Sequence, residues 1–185
     1  MGSFDYIGWF GTFLYLANYA YLAFCSEWNR SVYFTANAIA AISLVISSFA
    51  IASWQAVGIN FFWAFISLWL LFGKGFQFVS VSPRILNSIT LGFWLLALAA
   101  LVVDLPLSVS VLGWSSTFAF SASYLLFAAK TLPIGSYHIW NAYAAFVLLP
   151  QLYFDNNWPV LAMEICWLFI SISAYFNRRQ PEEPL

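Results

Sequence analysis

Charge is what this 185-residue chain has least of. Six Lys and Arg, seven Asp and Glu and one histidine leave it 7% charged, with a net charge of −1. Soluble domains carry about 25% charged residues, so a water-soluble globular fold is excluded. No basic run is present, and nucleic acid is not an expected partner. Two cysteines, Cys25 and Cys166, and the single His138 form no metal-ligand spacing, so neither a metal nor a cofactor is expected. The two cysteines read as small buried hydrophobes within or at the ends of apolar segments. Nucleophile-elbow, P-loop, dinucleotide and paired-carboxylate motifs are all missing, and the expectation is that the chain is not an enzyme. Met1-Gly2-Ser3-Phe4-Asp5 has no basic segment of the secretory kind, and Tyr6 stands where a myristoylation signal needs Ser or Thr.

What is abundant is apolar and aromatic. The chain is 63% hydrophobic and 22% aromatic, with ten Trp, and its mean hydropathy is +0.84. The apolar runs are continuous, not alternating, which predicts spanning helices instead of a barrel. A helix needs roughly 20 such residues to cross a bilayer. Seven spans are expected, at Tyr6–Phe24, Val32–Ala52, Trp54–Phe72, Ile85–Val103, Val109–Ala129, Ile134–Phe154 and Trp158–Phe176. Pro83, Pro133 and Pro159 fall where a helix begins, a place where the missing N–H costs nothing. Asp104-Leu105-Pro106 reads as the break that ends the fourth span.

Charge placement supports seven. With that count, Arg30, Lys74, Arg84, Lys130, Arg178 and Arg179, which are all the bases in the chain, lie on one side. Asp5, Asp104 and Asp155 lie on the other. The positive-inside rule then puts the N-terminus outside and the C-terminus in the cytoplasm. Asn29-Arg30-Ser31 fits the glycosylation pattern, but on a connection expected to be cytoplasmic.

The chain also repeats itself. Residues from about Asp5 to Trp69 return about 105 positions later. Gly8-Trp9 returns as Gly113-Trp114, Thr12-Phe13 as Thr117-Phe118, and Tyr19 as Tyr124. After a one-residue slip, Tyr33 maps to Tyr137, Asn37-Ala38 to Asn141-Ala142, and Trp63 to Trp167. Shared alanines mean little in so apolar a chain, but shared Gly, Tyr, Asn and Trp in one order do. The expected fold is therefore an all-α polytopic membrane protein with two parallel three-helix repeats joined by one inverter helix. The repeats are residues 5–72 and 109–176; residues 73–108 hold the linker with the inverter, and residues 177–185 form a cytoplasmic tail.

Parallel three-helix repeats of this kind resemble the SWEET sugar transporters, the PQ-loop proteins and the PnuC-type vitamin transporters. Individual halves are similar to bacterial inner-membrane proteins of the YgjV type in their Ile7-Gly8-Trp9 start and in Trp54, Asn60 and Trp63 of the third helix. The one Pro-Gln pair, Pro150-Gln151, lies at the end of the sixth helix, not in the first helix of a repeat. The resemblance implies a bacterial inner membrane and a solute site between the repeats. In SWEETs, Asn on the third helix of each repeat and Trp on the second line the sugar pocket. Carried over by position, that points to Asn60, Glu164 and Trp140.

The residues point the same way. Glu164, the repeat partner of Asn60, lies roughly 9 Å into its helix at 1.5 Å per residue. A carboxylate at such depth faces a bundle interior or a wet cavity; the plain alternative is a neutral acid hydrogen-bonded to a neighbouring helix. Asn60, Trp63 and Ser67 share one helix face, as do Glu164, Trp167 and Ser171. On the second helix of each repeat, Asn37 and Asn141 join this stripe, and Asn18 adds an amide near the middle of the first helix. Asn supplies donors and acceptors and Trp supplies flat walls, although Asn also binds helix to helix without any ligand. The expected activity is transport of a small polar solute, neutral or cationic, by alternating access between the repeats. The alternative is a non-transporting accessory or scaffold subunit. Membrane lipids are expected partners, with a homo-oligomer or a larger membrane complex as the possible assembly.

Overall fold

The computed structural model describes residues 3–25, 27–73 and 83–177. Those residues form seven helices: α1 (Ser3–Phe24), α2 (Arg30–Ala50), α3 (Trp54–Phe72), α4 (Pro83–Leu101), α5 (Leu105–Ala128), α6 (Ile134–Phe154) and α7 (Trp158–Phe176). Five of them, α2, α3, α4, α5 and α7, are long and apolar enough to cross a membrane. The chain is thus an all-helical protein of membrane type. Lys74, Arg178, Arg179 and the expected tail fall outside the described residues, apart from Asn177.

The expected spans differ from the helices mainly at α5. It starts at Leu105, four residues before the expected Val109. Asp104, read above as part of a break, is its N-cap: the carboxylate accepts from Leu107 N at 2.6 Å. Pro106 then lies in the first turn, where no intrahelical N–H is needed. Asn29 and Asn157 cap α2 and α7 in the same manner. The α2–α3 and α6–α7 turns also match. Ala52 and Asn156 both adopt left-handed backbone, with φ of 55° and 54°. Ser53 N bonds back to Ser48 O and Asn157 N to Leu152 O, each at 3.0 Å. This back-bonding satisfies carbonyls that the helix end would otherwise orphan.

Packing arranges six helices in a ring. α1 packs on α2 and α2 on α3, and likewise α5 on α6 and α6 on α7. Two seams join these triplets, α1 against α7 and α3 against α5. Hydrogen bonds give the seams their direction. Thr12 and Tyr19 of α1 reach Pro159 and Ser171 of α7. Gln55 and Ser67 of α3 meet Thr117 and Tyr124 of α5. In both seams the numbers rise together, so the helices run parallel. α4 stands outside the ring, packed on α5, with Ser108 donating to Ala97 O and Trp94 reaching Tyr143 of α6.

Close approach of α1 and α2 depends on small residues. A Cβ at Gly11 would lie 3.0 Å from Ala40 O and from two side chains of α2, and Ala40 and Ala41 are fully buried. A Cβ at Gly8 would collide with the Ser47 hydroxyl. Large apolar side chains cover the outside, among them Phe13, Phe61, Leu95, Phe146 and Phe169. Such a surface is suited to hydrocarbon and not to water.

Candidate functional site

A cavity lies where the two seams face each other. Its empty space is about 220 Å³ counted to its mouth, with room for about one water among the side chains. Four pairs of residues line it: Tyr15 and Phe120, Ile59 and Met163, Asn60 and Glu164, Trp63 and Trp167. The members of each pair are 104 or 105 positions apart in the sequence. One residue of each pair comes from α1 or α3 and the other from α5 or α7, so each triplet supplies half of the wall.

Four aromatic rings form most of that wall. Tyr15 stands edge-on to Trp63 and to Trp167, with centroids 5.9 and 5.7 Å apart. Phe120 meets the same two indoles at 6.0 and 6.4 Å. The indoles themselves are 5.4 Å apart and 75° from parallel. Each is backed by a tyrosine: Tyr19 stacks on Trp167 at 3.9 Å and Tyr124 on Trp63 at 4.3 Å. Backing of this kind fixes the ring planes.

Two polar residues complete the wall. Asn60 and Glu164 are each 2% exposed. Asn60 donates Nδ2 to Ala56 O of its own helix at 2.8 Å, which leaves its carbonyl oxygen to face other groups. Glu164 Oε2, Tyr15 Oη and Trp63 Nε1 are buried without a hydrogen-bond partner among the described residues. Tyr33 Oη, Tyr137 Oη and Thr90 Oγ1 share this condition away from the cavity; the three atoms beside it leave hydrogen-bonding capacity there for a polar group.

Hydrogen bonds cross the seams on either side of the cavity along the helices. Towards the start of α1, Thr12 donates to Pro159 O at 2.8 Å and Thr117 to Gln55 O at 3.3 Å. Towards the far end, Tyr19 Oη meets Ser171 Oγ at 3.0 Å and Tyr124 Oη meets Ser67 Oγ at 3.3 Å. The donors run in one direction. Ser171 donates to Trp167 O at 2.7 Å, so its oxygen accepts from Tyr19. Tyr19 Oη in turn accepts from His138 Nδ1, 2.9 Å away, which fixes the Nδ1–H tautomer. In the other seam Asn37 Nδ2 supplies this donor, reaching Ser67 at 2.8 Å and Tyr124 at 3.4 Å.

Asn60, Glu164, Trp63 and Trp167 therefore line the cavity itself. Asn37, Asn141 and Asn18 are buried below it and hold the walls. Asn141 accepts from Trp167 Nε1 at 2.9 Å, and Asn18 reaches Tyr33 O and Asn37. Trp140 stays away from the cavity and stands edge-on to Tyr143, 5.6 Å away. Sequence reasoning did not select Tyr15, Phe120, Tyr19 or Tyr124. The signal was there, since Tyr19 and Tyr124 are a matching Tyr pair 105 positions apart, on the first helix of each triplet.

Ring and cavity together define a helical membrane-type protein with an aromatic site between two helix triplets. A protein-family model matches residues 4–74 and 109–182, well over half of the chain, and the chain belongs to that family. The matched segments take in α2, α3, α6 and α7, α1 but for its first residue, and α5 from residue 109 on. No curated protein and no solved structure matches the chain.

Proposed function

We propose that this protein is an integral membrane transporter of a small polar solute. In this reading all seven helices span the membrane, residues 5–72 and 109–176 are parallel repeats, and α4 is the inverter between them. The N-terminus lies outside and the C-terminus in the cytoplasm, in a bacterial inner membrane. α1 and α6 count as spans although Tyr, Trp, Asn and His make them less apolar, because these side chains turn into the ring: Tyr15, Asn18 and Tyr19 of α1 and Tyr137, His138 and Asn141 of α6 are all buried.

The observation that carries the proposal is the cavity built from four repeat-related pairs. A site shared equally by two units is emptied towards either side when one unit rocks against the other. Threonine bonds guard one end and tyrosine–serine bonds the other, so opening one end leaves the opposite pair intact. The scaffold alternative needs the polar stripe to face another chain. Asn60, Glu164, Asn37 and Asn141 are instead buried inside the ring, which favours transport.

The test is reconstitution in liposomes, with uptake or solute-driven current measured for small neutral and cationic solutes. Uptake by wild type that is lost in Asn60→Ala supports the proposal. A correctly folded protein that moves no solute of either class under any imposed gradient sinks it.

A further inference from the structure

The lining of the cavity speaks to the charge of its occupant. Resting on the transporter reading, we propose that the site takes a primary ammonium group, either ammonium itself or the –NH3+ head of a short amine.

Glu164 is the one buried carboxylate among the described residues. The described bases, Arg30, Arg84 and Lys130, are all exposed, so among the described residues no buried Lys or Arg neutralises it. A buried carboxylate needs a cation or a proton. The cavity beside it has room for about one water, which is also the size of an ammonium group. The acceptors suit three N–H donors: the Glu164 carboxylate, the Asn60 carbonyl and Tyr15 Oη. The walls suit a cation as well. One face of each indole is taken by its stacked tyrosine, and the rings surrounding the cavity attract positive charge through their quadrupoles. An anion would meet a carboxylate and, among the described lining residues, no base. Between the two triplets, the polar pair is unlike: Asn60 brings an amide on one side, and Glu164 a carboxyl on a side chain one methylene longer on the other. That difference puts an ionisable acid on one side only, as Tyr15 opposite Phe120 puts a hydroxyl on the other.

The ligand leaves when a proton replaces it on Glu164. Ammonium binding therefore weakens as pH falls, because protons compete for the same carboxylate.

Titration calorimetry on the purified full chain in mild detergent tests this, with methylammonium chloride as probe, methanol as the neutral molecule of similar size and sodium chloride as the ionic control. Saturable methylammonium binding is expected, with none for methanol. Glu164→Gln should weaken it by about tenfold or more, the loss expected for a charged hydrogen bond. Trp63→Leu, which keeps the carboxylate and removes one wall, should weaken it severalfold. Equal binding of methanol, or unchanged affinity in folded Glu164→Gln, overturns the assignment. If another solute crosses liposomes while methylammonium fails to bind, the ammonium assignment falls and the transporter stands. If methylammonium binds as expected and no solute crosses, the assignment holds and the transporter falls.

Discussion

Removing the hydroxyl of Tyr19 should cost more than removing that of Tyr124, although each tyrosine stacks on a tryptophan of the facing helix, Trp167 or Trp63. Tyr19→Phe keeps the stack on Trp167, whose planes are 5° apart, and deletes only the oxygen. Two short bonds go with it, to Ser171 at 3.0 Å and to His138 at 2.9 Å. His138 is 4% exposed, so its Nδ1–H is left buried without a partner. An orphaned buried donor costs about 1–3 kcal/mol. In the other seam the bonds to Tyr124 Oη are 3.3 and 3.4 Å. Asn37 Nδ2 keeps Ser67 at 2.8 Å, so Tyr124→Phe orphans nothing. Its cost should be near the ~0.6 kcal/mol average for interhelical bonds in membranes. The expected gap is about 1 kcal/mol, or roughly fivefold in the unfolding equilibrium. Reversible unfolding in mixed SDS micelles, followed by far-ultraviolet circular dichroism, measures it. A double-mutant cycle with Ser171→Ala should return most of the Tyr19 bond as coupling. Equal losses in the two seams, or a larger loss at Tyr124, would refute the donor chain from His138 through Tyr19 to Ser171.

Three further outcomes are expected. Transport or binding by wild type should rise with pH, as protons leave Glu164, and whatever remains in Glu164→Gln should not vary with pH; a pH profile of wild-type shape in that variant contradicts the role given to the carboxylate. Ala52→Gly should stabilise the protein by about 0.5–1 kcal/mol, because Ala52 holds a φ of 55° that glycine adopts without steric cost; an unchanged or lower unfolding midpoint contradicts this. Gly11→Leu should destabilise by about 1–3 kcal/mol, since even a Cβ there would press on Ala40 O and Leu44; yield and melting temperature equal to wild type would show that α1 and α2 do not pack so closely.

Most helix positions were legible in the sequence because membrane helices must be long, apolar and self-bonded. Trp54–Phe72, Ile134–Phe154 and Trp158–Phe176 were read to the residue. The start of α5 was misread because Asp-Leu-Pro is both a break and a start, and only the bond from Leu107 N to Asp104 decides between them. Spacing of three and four put Asn60 with Trp63 and Glu164 with Trp167, and the structure brings all four to one cavity. It could not give rotation about the helix axis. Asn141 faces inwards, and Trp140, about 100° round the same helix, packs on Tyr143. Nor could periodicity on a single helix reveal Tyr15 and Phe120, which join the site only because the seams run parallel. The partnerless oxygen of Glu164 is likewise a fact of packing. The cysteines were expected within or at the ends of apolar segments as small buried hydrophobes. Cys25 and Cys166 are exposed, since the outside of the ring is apolar too and hydropathy does not separate its two faces.

Native mass spectrometry on gently extracted protein, wild type beside Asn60→Ala and Glu164→Gln, tests the central claim most directly. The account expects a small cationic molecule bound to wild type at one per chain and absent from both variants. The same mass pattern in all three proteins, or a stoichiometric partner chain indifferent to these substitutions, would contradict a solute site between the triplets.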